Sequence, residues 1–542
     1  MRLGNTCLAL GLWLCFNVIL PLEFVRAASI LAVFPYRLPQ LFQVVRPLMK
    51  ALTHRGHKIT MITPLGMFED IDGVRHIRVP MLNTHMNDMI ESDKFQDFFS
   101  DKWSEGSLVS TVFHNISYAV LSNNEVQMML QDRSQHFDMV LLEAGHMDAL
   151  YGLAEFYNAT LMGLCSVRIN WNLDYLAGNP APSILEPISP MGFSRENSFL
   201  SRLHNWIYIS EERMLEYLVI RPSQQRILKK FFGYSAQQMD ELRSRISFFL
   251  INNHFSMGRV RANVPNIIEI AGIHLSEPPA PCNKDLQRFL DDADDGVIYI
   301  SMGNELIVKY LPESLQSTLL HSFSQLRQRV VWKTGDTTTF NQTGNIYRIS
   351  QAPQRTILSH PNVRLFITNG GQLSLIEAID SGVPMLGLPF FFDQFSNMHR
   401  MQLAGTAKVL DLKSLSSDLL TNTILELIDN PKYSQSAKVR ARQFRDRPTR
   451  PLDTAVWWTE YALRHPDVSH TRLNQDEIPL MRYYRMDSLL SMGLRFGIAT
   501  ISVIWIISWS SCKIIKRIRQ APKKKEIVLV HINTPLNINP IT

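Results

Sequence analysis

Residues Phe366 to Gln394 read FITNGGQLSLIEAIDSGVPMLGLPFFFDQ. The apolar run VRLFIT ends at Thr368 and has the length of a buried strand. Gly370 and Gly371 then permit a tight turn, and a helix, GQLSLIEAIDSG, is expected to start near Gln372. VPMLGLP follows as another apolar strand. Strand, glycine turn, helix, strand is the unit of a parallel sheet.

The turn has chemical consequences. Free N–H groups at the start of the helix and the positive end of its dipole suit an anion, above all a diphosphate. Glu377 lies one to two turns along, where a carboxylate accepts hydrogen bonds from a ribose diol. Asp393 and Gln394 follow the next strand, facing the cleft, where a carboxylate and an amide read sugar hydroxyls. Phosphate, ribose and sugar contacts in that order describe a nucleotide-sugar pocket.

Working outward, the same alternation fills both halves of the chain. GVIYISMG, a helix through Leu315 to Leu326, and RVVWKTG precede the quoted stretch. Far upstream, SILAVFP, a helical stretch ending at Arg55-Gly56-His57, and KITMITP open a first α/β unit, with later strands at FDMVLLEA and near Thr160 to Leu164. The middle, about residues 170–250, reads mostly helical. HLSEPPAPCN, from His274 to Asn283, is proline-rich and aperiodic, as an interdomain linker would be. The expected organisation is therefore a leader (1–27), an N-terminal α/β domain (28–273), a linker (274–283), a C-terminal nucleotide-sugar domain (284–487), a transmembrane helix (488–512) and a basic tail (513–542). Two doubly wound halves place a ligand cleft between them, at the carboxyl ends of their strands.

The ends set the compartment. Met1-Arg2, an apolar stretch from Cys7 to Leu22, and Val25-Arg26-Ala27 describe a secretory signal cut near Ala27. FGIATISVIWIISWSS, from Phe496 to Ser511, carries no charge and, extended back through Leu489-Leu490, crosses ~30 Å of hydrocarbon. Arg495 in that extension snorkels to the headgroups, and Tyr483, Tyr484, Trp505 and Trp509 suit the interfaces. The 542 residues carry a formal charge of +6, and from Lys513 onward there are seven basic residues and one acid. All of the net charge therefore sits beside the anchor, which orients the chain as a type I protein with a cytosolic tail. No basic domain remains to grip nucleic acid. Sequons at Asn115, Asn158 and Asn341 fit a lumenal bulk. With Cys7 and Cys15 in the leader and Cys512 at the membrane edge, Cys165 and Cys282 indicate no disulfide framework.

The quoted stretch resembles the signature of the membrane-bound UDP-glycosyltransferases, the glucuronosyl- and glucosyl-transferring family with insect relatives. The matching residues are Gly370, Gly371, Glu377, Gly382, Pro384, Pro389, Asp393, Gln394 and Asn397. ILAVFP, the Arg55-Gly56-His57 turn, GVIYISMG, Val331-Trp332-Lys333 and the tail anchor extend the match over nearly the whole chain. The resemblance implies an α/β fold of two facing Rossmann-like domains (GT-B), and it assigns acceptor binding to the N-terminal domain (28–273). It implies inverting transfer, without metal or resident cofactor, from a UDP-sugar co-substrate to small lipophilic acceptors in the endoplasmic reticulum. The hexose expected is glucose. It assigns donor contacts to Ser301, Gly303, Gln351, Gln354, Asn369, Gly370, Gly371, Glu377, Asp393 and Gln394.

Departures from the family pattern fall on residues with chemical roles. The histidine that serves as the family's base for the acceptor hydroxyl is Leu41, between Gln40 and Phe42, whereas its acidic partner is retained as Glu143. Loss of a positioned base typically costs ~10²–10⁴ in rate. The phosphate-binding histidine is Asn369, which keeps a hydrogen bond but no charge. The family's Trp-x-Pro-Gln reads Gln351-Ala352-Pro353-Gln354, so the indole that stacks on uracil is gone, and Asn304 stands where serine or threonine is usual. Two readings stay open. One is an active enzyme with a rebuilt site, for which His146 (near Asp148) and, more remotely, His85 are substitute bases. The other is a degenerate member that binds a small apolar ligand or pairs with another copy or an active relative.

Overall fold

The computed structural model describes residues 27–36, 39–66, 69–84, 102–166, 171–179, 199–258, 261–303, 313–334, 344–390, 393–473 and 486–520. The leader up to Arg26, His85, Asn304, the Asn341 sequon, Tyr483-Tyr484 and the tail beyond Gln520 lie outside them.

Two parallel sheets carry the chain up to Leu473. The first is ordered β3-β2-β1-β4-β5-β6-β7, with β1 Ser29–Val33, β2 Lys58–Pro64, β3 Val74–Val79, β4 Met139–Glu143, β5 Thr160–Cys165, β6 Phe249–Ile251 and β7 Ile267–Glu269. The second is β10-β9-β8-β11-β12-β13, with β8 Val297–Ser301, β9 Arg329–Lys333, β10 Ile346–Ile349, β11 Val363–Thr368, β12 Met385–Gly387 and β13 Ala407–Val409. Central strands such as MVLLE and VIYIS are buried along their whole length. Helices cover both faces of a parallel sheet, so its strands read as unbroken apolar runs rather than alternating ones.

Strand order reverses between β1 and β4 in the first sheet and between β8 and β11 in the second. Loops leaving neighbouring strands there diverge to opposite faces and open a crevice, the ordinary ligand position in such folds. Glu143 ends β4, and Gly303 and Asn369 follow β8 and β11, so both reversal points are flanked by residues singled out above.

The two sheets meet at these carboxyl edges. The Gln372 side-chain amide donates to the Asn252 carbonyl at 2.6 Å, and Leu373 joins the apolar core packed on the first sheet. The Pro451–Arg464 helix returns to that same core: Ala455, Val456 and Ala462 are buried in it, and Trp458 packs on Phe248 with ring centroids 4.8 Å apart. Its Glu460, almost fully buried, accepts from Arg55 at 3.2 Å and lies 3.5 Å from His57. Residues 273–276 form a short 3₁₀ helix, and Arg355 donates to the carbonyls of His274, Leu275 and Glu277.

In the second compact unit the described residues form one helix, Met486–Gln520. Its segment Leu490–Arg517 spans 28 residues at a mean hydropathy of 1.8, long and apolar enough to cross a membrane. Trp505 and Trp509 stack, and the Lys513 ammonium sits 3.8 Å above the Trp509 ring.

Candidate active site

The donor turn begins where β11 delivers Thr368. Gly370 has φ +87°, which glycine adopts without strain, and a Cβ there would come within 2.4 Å of Met398 Cγ. The helix Gln372–Ser381 has Gly371 at its N-cap with no side chain capping it. Its first N–H groups therefore have no side-chain acceptor among the described residues, the condition for an anion site. Asn369 does not cap the helix from its side chain in the usual way: its Oδ1 receives only the Gly371 N–H, at 3.4 Å. The Asn369 amide is buried against Gly303, whose φ is +93° and whose added Cβ would meet Nδ2 at 2.8 Å. Ser301 is buried at the end of β8. Lys333, ending β9, donates to the Gly303 carbonyl at 3.4 Å and brings a positive charge to this edge.

Glu377 faces inward rather than to solvent. Its Oε2 accepts from Gln354 Nε2 at 2.6 Å, and Gln354 also bonds Ser374 at 3.0 Å and accepts from the Tyr299 hydroxyl at 3.2 Å. Burial pushes the carboxyl up to about 7, against the pull of the Gln354 bond, Arg355 and Lys333. His274 stands beside it, Nε2 to Oε1 3.8 Å, with both ring nitrogens buried and unbonded. Burial, reinforced by Arg355, lowers that imidazole to about 3, so it is neutral. Sequence reading had placed His274 in a linker, and nothing local marks it as part of a site. Gln351, at the lost indole's position, is exposed.

Asp393 is the N-cap of the helix Gln394–Leu403, and both residues are fixed by local bonds. Gln394 Oε1 accepts the Phe390 N–H at 2.9 Å. Asn397 donates to Asp393 Oδ2 at 2.9 Å and to the Gly370 carbonyl at 3.0 Å, while Arg400 donates to Asn397 Oδ1 at 2.6 Å. This network ties Asp393 and Gln394 to the Gly370 turn.

On the acceptor side, Leu41 is 4% exposed and belongs to the apolar core of the first sheet. Glu143 is equally buried. Its Oε1 accepts from the Ser166 N–H at 2.9 Å and hydroxyl at 2.7 Å, whereas its Oε2 has no partner among the described residues. Burial pushes this carboxyl up to about 8 despite the two Ser166 bonds. No hydrogen bond joins His146 to Glu143 among the described residues. The His146 Nδ1 lies 3.2 Å from Asn172 Nδ2, next to a buried cluster in which Arg243 pairs with Asp148 at 2.6 Å and with Glu216. A cavity of about 230 Å³ opens beside that cluster, lined by charged groups including Arg213, Arg221 and Asp240, and it is separate from the donor turn. The half-buried Tyr36 ring lies within electrostatic reach of Glu143 and packs edge to face on Phe113 at 6.5 Å, and Phe113 lies 5.5 Å from the His146 ring.

A family model described as "UDP-glucoronosyl and UDP-glucosyl transferase" matches residues 33–525. The chain belongs to this family. Its relatives among UDP-glycosyltransferases include the UDP-glycosyltransferase UGT4 of Dactylopius coccus, 30% identical over 473 residues, covering 86% of this chain and 92% of the relative. The 2-hydroxyacylsphingosine 1-beta-galactosyltransferase of Rattus norvegicus is 27% identical over 502 residues, 91% of this chain and 90% of the relative. In structure the chain resembles the spinosyn forosaminyltransferase SpnP, with a TM-score of 0.54 at 16% identity, covering 81% of this chain and all of that one. The glycosyltransferase of kitacinnamycin gives 0.53 at 15% identity over 82% of this chain and all of the other. These likenesses establish the GT-B fold of this UDP-glycosyltransferase family member.

Sequence reasoning missed Ser166, Asn252 and Gln372. Asn252 Nδ2 donates to the Ser166 carbonyl at 2.8 Å, and Gln372 reaches the Asn252 carbonyl, so a hydrogen-bonded chain runs from Glu143 to the donor helix. Asn252 Oδ1 and Gln372 Oε1 are buried without partners among the described residues, like Glu143 Oε2. Only tertiary structure assembles this chain.

Proposed function

We propose that this chain transfers a hexose, glucose in the first instance, from a UDP-sugar to a small lipophilic hydroxyl compound, with inversion and without a metal. The observation that carries the reading is the bonded seam from Glu143 through Ser166 and Asn252 to Gln372, which links an acceptor-side carboxylate to the donor turn. In this reading the first N–H groups of the Gln372–Ser381 helix, with Lys333 and Asn369 nearby, hold the diphosphate. Glu377 Oε1, without a hydrogen bond among the described residues, receives the ribose. Asp393 and Gln394 read the sugar, Gln354 holds Glu377, and the exposed Gln351 borders the uracil. Ser301 and Gly303 shape the opposing wall. The half-buried Tyr36 and Phe113 rings accommodate the apolar acceptor. The reading includes a cleaved leader, a single-pass anchor and an endoplasmic-reticulum lumenal bulk with Asn158 exposed for glycosylation.

A second reading is favoured by one observation: the family's base position, Leu41, is packed into the core. It makes the chain a non-catalytic binder of small apolar ligands or a partner of an active relative. Calorimetric UDP-glucose binding by the detergent-solubilised full chain, with turnover across an acceptor panel, decides between them. Donor binding with turnover supports transfer; absence of donor binding removes that reading; donor binding without turnover at any pH supports the second.

A further inference from the structure

We propose that Glu143 itself is the base that takes the acceptor proton, on its free oxygen Oε2, with no histidine between carboxylate and substrate. The inference rests on the transferase reading above and deepens it. The other positions weighed for the base among the described residues do not serve: Leu41 carries no proton acceptor, and the His146 ring is engaged with Asn172 next to the Arg243 cluster. Glu143 has one oxygen clamped by two Ser166 donors, which fixes its orientation, and one oxygen with no partner among the described residues. A buried carboxylate oxygen left open is costly unless a further hydrogen-bond donor completes it, and an acceptor hydroxyl is such a donor. The residue also sits at the carboxyl end of β4, at the strand-order reversal where ligands bind.

The step balances without any further reagent. The acceptor O–H bond breaks and its proton passes to Glu143 Oε2. The oxygen electron pair forms the new bond to the anomeric carbon, and the bond from that carbon to the UDP oxygen breaks with its electrons leaving on UDP.

Among the described residues the groups that act on Glu143 are neutral ones: Ser166, following β5, bonds its Oε1, and Tyr36, in the loop after β1, has a phenol that burial raises well above its usual value, with Glu143 adding to the rise. Among the described residues no cation holds the carboxylate ionised, so burial dominates and lifts it to about 8. A base with that value is about one-tenth ionised at pH 7 and about nine-tenths at pH 9.

The test uses the solubilised full chain with UDP-glucose and benzyl alcohol, whose hydroxyl does not ionise in this range. Turnover is expected to rise about tenfold from pH 7 to pH 9. Glu143→Gln is expected to lower kcat ~10²–10⁴-fold while UDP-glucose affinity is unchanged. Ser166→Ala, which removes one bond to the charged form, moves the midpoint to higher pH without abolishing turnover. UDP-glucose binding with a flat pH profile, with no turnover at pH 9, or with an unaltered Glu143→Gln rate overturns Glu143 as the base and leaves the donor site standing. Turnover that vanishes in His146→Ala but persists in Glu143→Gln overturns it as well. Absence of UDP-glucose binding overturns both this inference and the reading beneath it.

Discussion

Gln372 donates its side-chain amide to the backbone carbonyl of Asn252 at 2.6 Å, across 120 residues of sequence. This bond joins the first turn of the donor helix to the first sheet. Replacing Gln372 with alanine leaves the buried Asn252 carbonyl unbonded, at a cost of about 1–3 kcal/mol. Urea unfolding of the solubilised chain should show that loss. UDP-glucose affinity should fall as well, because the helix terminus loses its tether.

Glu143 should make the protein less stable as pH rises. Its carboxyl ionises near 4.5 when exposed and near 8 when folded, so between those values the unfolded chain gives up its proton first. Stability is therefore fully present below the lower value and declines through the interval, by on the order of several kcal/mol. Glu377, raised to about 7, adds a decline of the same sign. Thermal melts of Glu143→Gln from pH 5 to pH 9 should show a shallower slope and a higher midpoint at pH 8 than the parent. A parallel pair of curves would mean that Glu143 is ionised in the folded protein at all these values.

An exposed Gln351 leaves room for a larger side chain at the edge of the donor turn. Gln351→Trp should tighten UDP-glucose binding by about 1–3 kcal/mol through stacking, the range seen for bases on aromatic side chains. Calorimetry with UDP and with glucose 1-phosphate separates the effect, since only the uracil-bearing ligand gains. Asn369→His offers no such gain in stability, because Asn369 is buried against Gly303.

At Gly370 an added methyl meets Met398 and, at 3.1 Å, the Gln394 carbonyl, on a backbone with φ +87°. Gly370→Ala combines left-handed strain with overpacking, each worth about 1–3 kcal/mol. Denaturant midpoints should fall accordingly. Any folded fraction should bind UDP-glucose poorly because the turn that aims the helix has moved.

How much of this was legible depends on how local each feature is. The strand ending at Thr368, the glycine turn and the helix from Gln372 depend on neighbours within a few residues, and the structure has them where the sequence places them. Two parallel sheets follow from repeated apolar strands separated by helical stretches, and the long apolar helix near the C-terminus follows from composition alone. Legibility failed at His146, three residues from Glu143 yet bonded to Asn172 instead, because chain proximity does not set side-chain direction after a strand. It failed also at His274, which looks like linker and lies buried beside Glu377.

The sequence by itself thus determined the family, the two-sheet architecture, the glycine turn before the Gln372 helix and the absence of a histidine at Leu41. Tertiary structure alone decided that Glu143 keeps an open oxygen and that Ser166, Asn252 and Gln372 connect it to the donor helix. Those bonds join residues 23, 86 and 120 positions apart. No local pattern records such pairings, because the first two exist only where the ends of β4, β5 and β6 lie side by side in the first sheet, and the third only where the Gln372–Ser381 helix meets that sheet's carboxyl edge.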